Sequence, residues 1–175
     1  MTHKILATLL AFLVVACHSN DNGRNKEKAK ENEEIPNALE TAVKQGLIQV
    51  IKCPAVAGYT TMEVETKQVI TDENNYLHVF ANSDLNLDET PPTIDFTQQQ
   101  VVALHLGLKP SSGYKLEFDN FVVKASTLNI YYTEVSPPIL CDVTQAITYP
   151  YCLIAVNNQF TNIEFFKSDK QQCSR

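Results

Sequence analysis

The sequence predicts a mainly β domain: an antiparallel β-sandwich or partly open barrel with one or two short helices, for which α+β is the alternative label. Three observations carry this. Runs with period-two alternation recur, as in Val102, Leu104 and Leu106 against Val101, Ala103 and His105, and that spacing sends successive side chains to opposite faces of a strand. Clusters of turn residues separate the runs, among them Lys109-Pro110-Ser111-Ser112-Gly113, Pro137-Pro138 and Asn157-Asn158-Gln159. Connections are short, without the strand–helix–strand alternation that builds a parallel sheet, and no internal repeat is present.

Residues 35–175 are read as a single β-rich domain. Leu39, Ala42 and Val43 lie three and four apart, so residues 37–45 predict a short helix with Gly46 as its stop. Residues 47–52 alternate weakly and predict a first strand, and MEVETKQVI at 62–70 predicts a second. Thr71-Asp72-Glu73 supplies a cap and an acidic first turn for another helix, with Tyr76, Leu77 and Phe80 on one side. Residues 85–92 read as a loop. Asp95 is expected to bind nearby backbone N–H groups and Phe96 to enter the core.

The run VVALHLGLKPSSGYKLEF at 101–118 reads as the central hairpin, two strands joined by a turn, with His105 on the solvent face. Residues 121–124 continue or bend its second strand. Leu128, Ile130 and Tyr132 mark another strand, ended by Pro137-Pro138 because proline cannot donate to a ladder. A turn at Tyr149-Pro150 leads into the nearly all-apolar YCLIAV, and Ile163 and Phe165 mark a last strand before a polar tail. The count is at least six strands, with the helices covering an open end.

The chain has 175 residues, 44% of them apolar, which is enough for a real core. Its net charge of −6 argues against nucleic acid and against a basic surface for anionic lipid; the acidity reads as solubility. Five glycines are too few and too scattered for a phosphate loop. Ser111 and Ser112, read on an exposed turn, lack any motif that joins them to His18, His78 or His105 as a base. Asp95 and Glu117 read as wet carboxylates rather than an acid–base pair. No catalytic residue, metal site or cofactor is assigned.

The amino terminus reads as an address. His3 and Lys4 precede an apolar run at 5–16 that is too short for a permanent membrane helix. It ends in Leu13-Val14-Val15-Ala16-Cys17, which resembles a bacterial lipoprotein signal. That resemblance implies a signal peptide at 1–16, cleavage before Cys17, diacylglycerol on its sulfur and acylation of the new amino terminus. Residue 18 is His rather than Asp, which by resemblance to Gram-negative sorting implies the outer membrane. Residues 18–34 (HSNDNGRNKEKAKENEE) cannot bury enough surface to offset their ordering entropy. With Cys17 they are read as a lipidated, disordered polar tether at 17–34.

Setting Cys17 aside leaves Cys53, Cys141, Cys152 and Cys173, an even number in an exported chain and hence a disulfide framework with three connectivities. The favoured pairing is Cys141–Cys152, with the Tyr149-Pro150 region folding the chain back, and Cys53–Cys173 tying the domain ends. No two of these cysteines have close metal-ligand spacing.

Several segments between 91 and 156 resemble the protease-complex-subunit PrcB family, above all its carboxy-terminal domain. They are Pro92-Thr93-Ile94-Asp95-Phe96, Val101-Val102-Ala103, Gly107-Leu108-Lys109-Pro110-Ser111-Ser112-Gly113-Tyr114, Pro138, Val143-Thr144-Gln145-Ala146-Ile147-Thr148 and Tyr149-Pro150-Tyr151. The resemblance implies an exported, often lipidated β-rich domain, in a family named for an accessory subunit of a surface protease complex. The loop Lys109, Pro110, Ser111, Ser112, Gly113 and Tyr114 is also similar to the Pro-Thr-Thr-Gly-Tyr loop of chagasin-like inhibitors of cysteine peptidases. The sequence thus points to a non-enzymatic, lipid-anchored envelope protein that binds another protein, a protease being the implied partner. The alternative is a peptidase inhibitor acting through Ser111-Ser112-Gly113-Tyr114. In either case Tyr114 either closes one end of the sandwich or contacts the partner.

Overall fold

The computed structural model describes residues 37–54, 60–83 and 89–173. The expected signal peptide, Cys17, the tether and part of the 85–92 loop lie outside the described residues. In chain order the elements are α1 (Ala38–Lys44), β1 (Ile48–Lys52), β2 (Thr66–Ile70), α2 (Glu73–Ser83), β3 (Gln99–His105), β4 (Lys115–Lys124), β5 (Thr127–Ser136), β6 (Tyr151–Asn157) and β7 (Asn162–Gln171). One sheet has the order β1-β6-β3-β2, and the other β4-β5-β7. Neither closes into a barrel, so the fold is a mainly β sandwich.

The four-stranded sheet is buried on both faces at its centre. Val102, Leu104 and Leu106 from β3 and its end, with Cys152, Ile154 and Val156 from β6, pack against Phe118, Phe121, Leu128, Ile130 and Tyr132 of the second sheet. The alternate residues Val101, Ala103, Leu153 and Ala155 pack on the other side against Tyr76, Val79 and Phe80 of α2. Helix α2 therefore lies on the outer face of the first sheet, not over an open end. Its buried stripe is Tyr76, Val79, Phe80 and Ser83. Leu77, expected on that stripe, is 41% exposed, because one residue along a helix turns the side chain by about 100° from Tyr76.

Helix α1 does close a side. Asn37 caps it by accepting from the Leu39 N–H at 3.0 Å. Gly46, at φ +68°, ends it, with Gly46 N donating to Val43 O and Leu47 N to Ala42 O. Leu39 and Ala42 join the core between the edge strands β1 and β4.

Four expectations about the strands need correction. The central hairpin is not a hairpin: β3 pairs with β2 and β6, whereas β4 pairs with β5. The turn at 109–113 carries the chain from one sheet to the other, and alternation alone does not say which strand is the neighbour. The second sheet is not wholly antiparallel, since β5 and β7 run parallel from Thr127↔Asn162 to Ser136↔Gln171. The chain visits β6 in the opposite sheet between them, reverses twice, and so returns in its original direction. The expected tail is strand as far as Gln171, and conversely β2 begins only at Thr66.

The cysteines do form two disulfides, but with the other partners: Cys53–Cys152 and Cys141–Cys173. Register explains the first. Lys52 stands opposite Leu153 in the β1–β6 ladder, which leaves Cys53 beside Cys152 with Cα atoms 4.3 Å apart. For the second, Gln172 N donates to Ser136 O at 3.0 Å, so the end of β7 lies beside the segment that carries Cys141.

Candidate interaction site

The connection from β3 to β4 is held from several directions. Gly107 starts it at φ +75°, and a Cβ there would lie 2.7 Å from Glu63 O and 2.8 Å from Glu65 N. Only glycine permits that approach. Leu108 N donates to Glu63 O at 2.9 Å, and Lys109 and Thr148 exchange both backbone bonds, at 2.8 and 3.0 Å. Thr148 Oγ1 donates to Ser111 O at 2.8 Å. Ser112 N donates to Thr144 O at 3.1 Å, and Thr144 N returns a bond to Ser112 Oγ at 3.1 Å. Gly113 is wedged against Pro137 and Val143, where a Cβ would come within 2.7 Å of both side chains.

The six-residue loop is thus a clamped crossing. Ser111 and Gly113 are buried, Lys109, Ser112 and Tyr114 half-buried, and Pro110 exposed. Ser111 is not on an exposed turn as expected; its carbonyl is tied to Thr148, which draws the residue inward. The backbone of the loop is engaged by Thr144 and Thr148. Tyr114 lines a shallow cavity of about 230 Å³ with Leu39, Leu116, Phe118, Pro150 and the Cys53–Cys152 bridge. Tyr114 is half-buried there.

A charge network supports the crossing. Lys109 pairs with Glu134 of β5, and its ammonium lies 5.6 Å from the centre of the Tyr114 ring. Lys167 of β7 reaches both Glu134 and Glu65 at 2.7 Å. Glu65 also meets Lys67 at 3.4 Å and accepts from Tyr132 Oη at 3.3 Å. Burial pushes the Glu65 carboxyl up, but Lys167 and Lys67 outweigh it and hold it below its ordinary value. Glu134 behaves likewise through Lys109 and Lys167. Burial pulls the Lys167 ammonium down, and the two glutamates more than reverse this, so it ends raised. The network joins residues of both sheets and the crossing loop.

The sequence placed His105 in solvent, but it is 2% exposed. Its outward neighbour is α2, where Ser83 Oγ donates to Val79 O at 2.7 Å and lies 2.8 Å from His105 Nε2. With the hydroxyl proton committed to Val79, the ring nitrogen is the donor. The pair is therefore not poised for nucleophilic attack, and Ser83 itself is fully buried. The opposite nitrogen, Nδ1, has no partner. Burial pushes the imidazole down to about 4. The spacing 76, 79, 80, 83 on α2 was the signal that could have found this contact.

The expected local roles of Asp95 and Phe96 hold. Asp95 Oδ1 accepts from Thr97 N at 3.0 Å, and Phe96 packs partly into the α2 core. Glu117 sits exposed on β4 opposite Thr133. Among the described residues no group of three or more His, Cys, Asp or Glu could hold a metal, and no helix is long and apolar enough to cross a membrane.

Fold and site together define a mainly β, two-sheet domain with a clamped crossing loop at one end. Residues 100–157 match the family model described as PrcB C-terminal. That match covers about a third of the chain and supports the PrcB family. It begins after Pro92-Thr93-Ile94-Asp95-Phe96 and takes in β3, the crossing, β4, β5, the 137–148 segment and β6. No curated protein and no solved structure matches the chain.

Proposed function

We propose that the chain is a non-enzymatic, lipid-anchored envelope protein that binds another protein, as an accessory subunit of a protease complex. The observation that carries the proposal is the PrcB C-terminal match over residues 100–157. The matched stretch also includes the clamped end of the sandwich, where apolar side chains remain exposed beside a rigid loop. The anchor rests on the sequence: an apolar run ending in Ala16-Cys17, followed by a polar segment. Lipid on Cys17 would place the domain at the envelope, on the outer membrane in a Gram-negative host. Several acyl chains, at about 0.8 kcal/mol per buried methylene, hold far more firmly than one.

Purification of the full chain from crosslinked envelopes should recover a defined protein partner. Repeated clean preparations with none would remove the binding reading. Intact-mass spectrometry should find cleavage before Cys17 and an added diacylglycerol that Cys17→Ser abolishes; an unprocessed chain with a free thiol there would remove the anchor.

A further inference from the structure

We propose that two copies of this chain pair along the free edge of β7, strand against strand and antiparallel, about a two-fold axis at Phe166. Among the described residues the two sheets present four edges, β1, β2, β4 and β7. An edge strand carries unpaired backbone groups, which short length, a bulge or a covering element blunts. β1 and β2 have five residues each, the registers of β1 and β4 shift, and α1 packs against both β1 and β4. Among the described residues β7 lacks all three devices: it runs for ten residues beside β5 with no shift in register. Two bonds show which of its backbone groups face outward. Asn162 N donates to Ser126 O at 3.4 Å, and Gln172 N to Ser136 O at 3.0 Å. Both residues are even-numbered and turned toward β5, and the backbone groups of successive strand residues point to opposite sides. Ile163, Phe165, Lys167, Asp169 and Gln171 therefore direct their N–H and C=O groups away from β5. The chemical complement of such a row is another β-strand.

The side chains select a second copy as that strand. Antiparallel pairing centred on Phe166 sets Phe165 opposite the copy's Lys167, Glu164 opposite Ser168, Ile163 opposite Asp169 and Asn162 opposite Lys170. Outward-facing residues then meet outward-facing ones throughout, and no like charges stand opposite each other. Glu164 lies diagonal to the copy's Lys170 on the same face, where opposite charges attract. Centring on Glu164 or on Lys167 would set that residue against its own copy, like charge on like charge, and centring on Phe165 would shorten the pairing to residues 162–168. Phe166 itself is 41% exposed. One face of its ring stacks on Tyr131 of β5 with centroids 4.7 Å apart, so the other face is turned toward the free edge. Across the axis that face meets the copy's Phe166, a favoured cross-strand aromatic pair. The inference does not depend on the protease-partner reading.

The test adds one cysteine at a time to the full-length chain in intact envelopes under a mild oxidant. Residues opposite each other in a non-hydrogen-bonded pair have Cα atoms about 4.5 Å apart, within disulfide reach. Phe166→Cys, which stands opposite itself, should give a covalent dimer at least about tenfold more abundant than Glu164→Cys or Ser168→Cys alone. Co-expressed Glu164→Cys and Ser168→Cys chains should link to each other. No covalent dimer, equal linkage at all three positions, or linkage of Phe166→Cys to a different protein overturns the inference and leaves the protease-partner reading standing. Asp169→Pro removes an outward N–H and no bond to β5, so added to Phe166→Cys it should lower the dimer at least about tenfold at an unchanged melting temperature. An undiminished dimer there also overturns the inference. Sedimentation of the wild-type chain in nonionic detergent should give the protein mass of two chains, and the mass of one overturns it.

Discussion

Acidification from pH 7 to pH 5 is predicted to remove about 2 kcal/mol of stability through His105 alone. The ring stacks on Tyr151 with centroids 5.6 Å apart and bonds Ser83 on its other side. Burial in that site pushes the imidazole from an ordinary 6.5 to about 4. The unfolded chain therefore takes up a proton near 6.5, and the folded chain stays neutral until about 4. Across that window the unfolded state binds more protons, so stability falls as pH drops and levels off below it. At about 1.4 kcal/mol per unit the full loss is roughly 3 kcal/mol, of which about 2 is gone by pH 5. Glu65 and Glu134, held below their ordinary value, have the same sign but a lower window. Their contribution is complete above the ordinary carboxylate value and disappears as pH falls through their folded values. Urea unfolding followed by far-ultraviolet circular dichroism, in steps between pH 7 and pH 5, measures the slope. His105→Phe keeps a ring against Tyr151 and removes the titrating nitrogens, so its curve should be flat in that range. If His105→Phe loses as much stability as wild type, the buried neutral imidazole is not the source and the reasoning fails.

Gly107→Ala should cost about 2–5 kcal/mol, combining a left-handed backbone with a Cβ forced onto Glu63 O and Glu65 N; thermal melts check it. Glu134→Gln leaves the Lys109 and Lys167 ammonium groups without their shared carboxylate, which is only 12% exposed. A loss of about 2–3 kcal/mol in chemical denaturation is expected, somewhat below that for a fully buried pair. Removing the Cys141–Cys173 bridge by double serine substitution should cost roughly 3–4 kcal/mol in the chain-entropy model for its separation of 32 residues. Under mild reductant the same bridge should open before Cys53–Cys152, as read by alkylation mass spectrometry, because Cys173 is exposed and Cys152 is 1% exposed.

Local chemistry was legible in the sequence and long-range partnership was not. The Asn37 cap, the Gly46 stop, the YCLIAV strand and the Pro137-Pro138 terminator each depend on neighbours a few residues away, and each appears where the residues place it. Alternation in 101–118 correctly marks two strands, yet the same pattern fits a hairpin and a crossing between sheets. His105 was misplaced because a polar residue in an alternating run is ordinarily on the wet side. Here that side is covered by α2, whose Ser83 meets the ring. The cysteine partners followed from a ladder register that composition does not encode. The charge network was illegible for the same reason: Lys167 and Glu65 lie 102 residues apart, and no local signature joins them.

Rigidity at the clamped end separates two roles within the stretch that resembles the PrcB family. Gly107, Ser111, Gly113, Thr144 and Thr148 are used in holding the backbone, so their chemistry is explained by packing and needs no partner. Leu108, Ile139, Leu140 and Ile147 are the residues that this packing leaves exposed. A loop pinned by the carbonyls of Glu63, Thr144 and Thr148 has little backbone freedom left to lose, so the groups it displays can meet a partner without a large ordering cost. It follows that a substitution within the clamp should lower stability and partner recovery together, because the display surface loosens as the clamp does. A change confined to Ile139 or Leu140 touches no internal packing and should leave stability unchanged, so recovery alone shows whether those residues meet the partner. The division between these two responses, rather than either one singly, separates a docking surface from an ordinary structural loop.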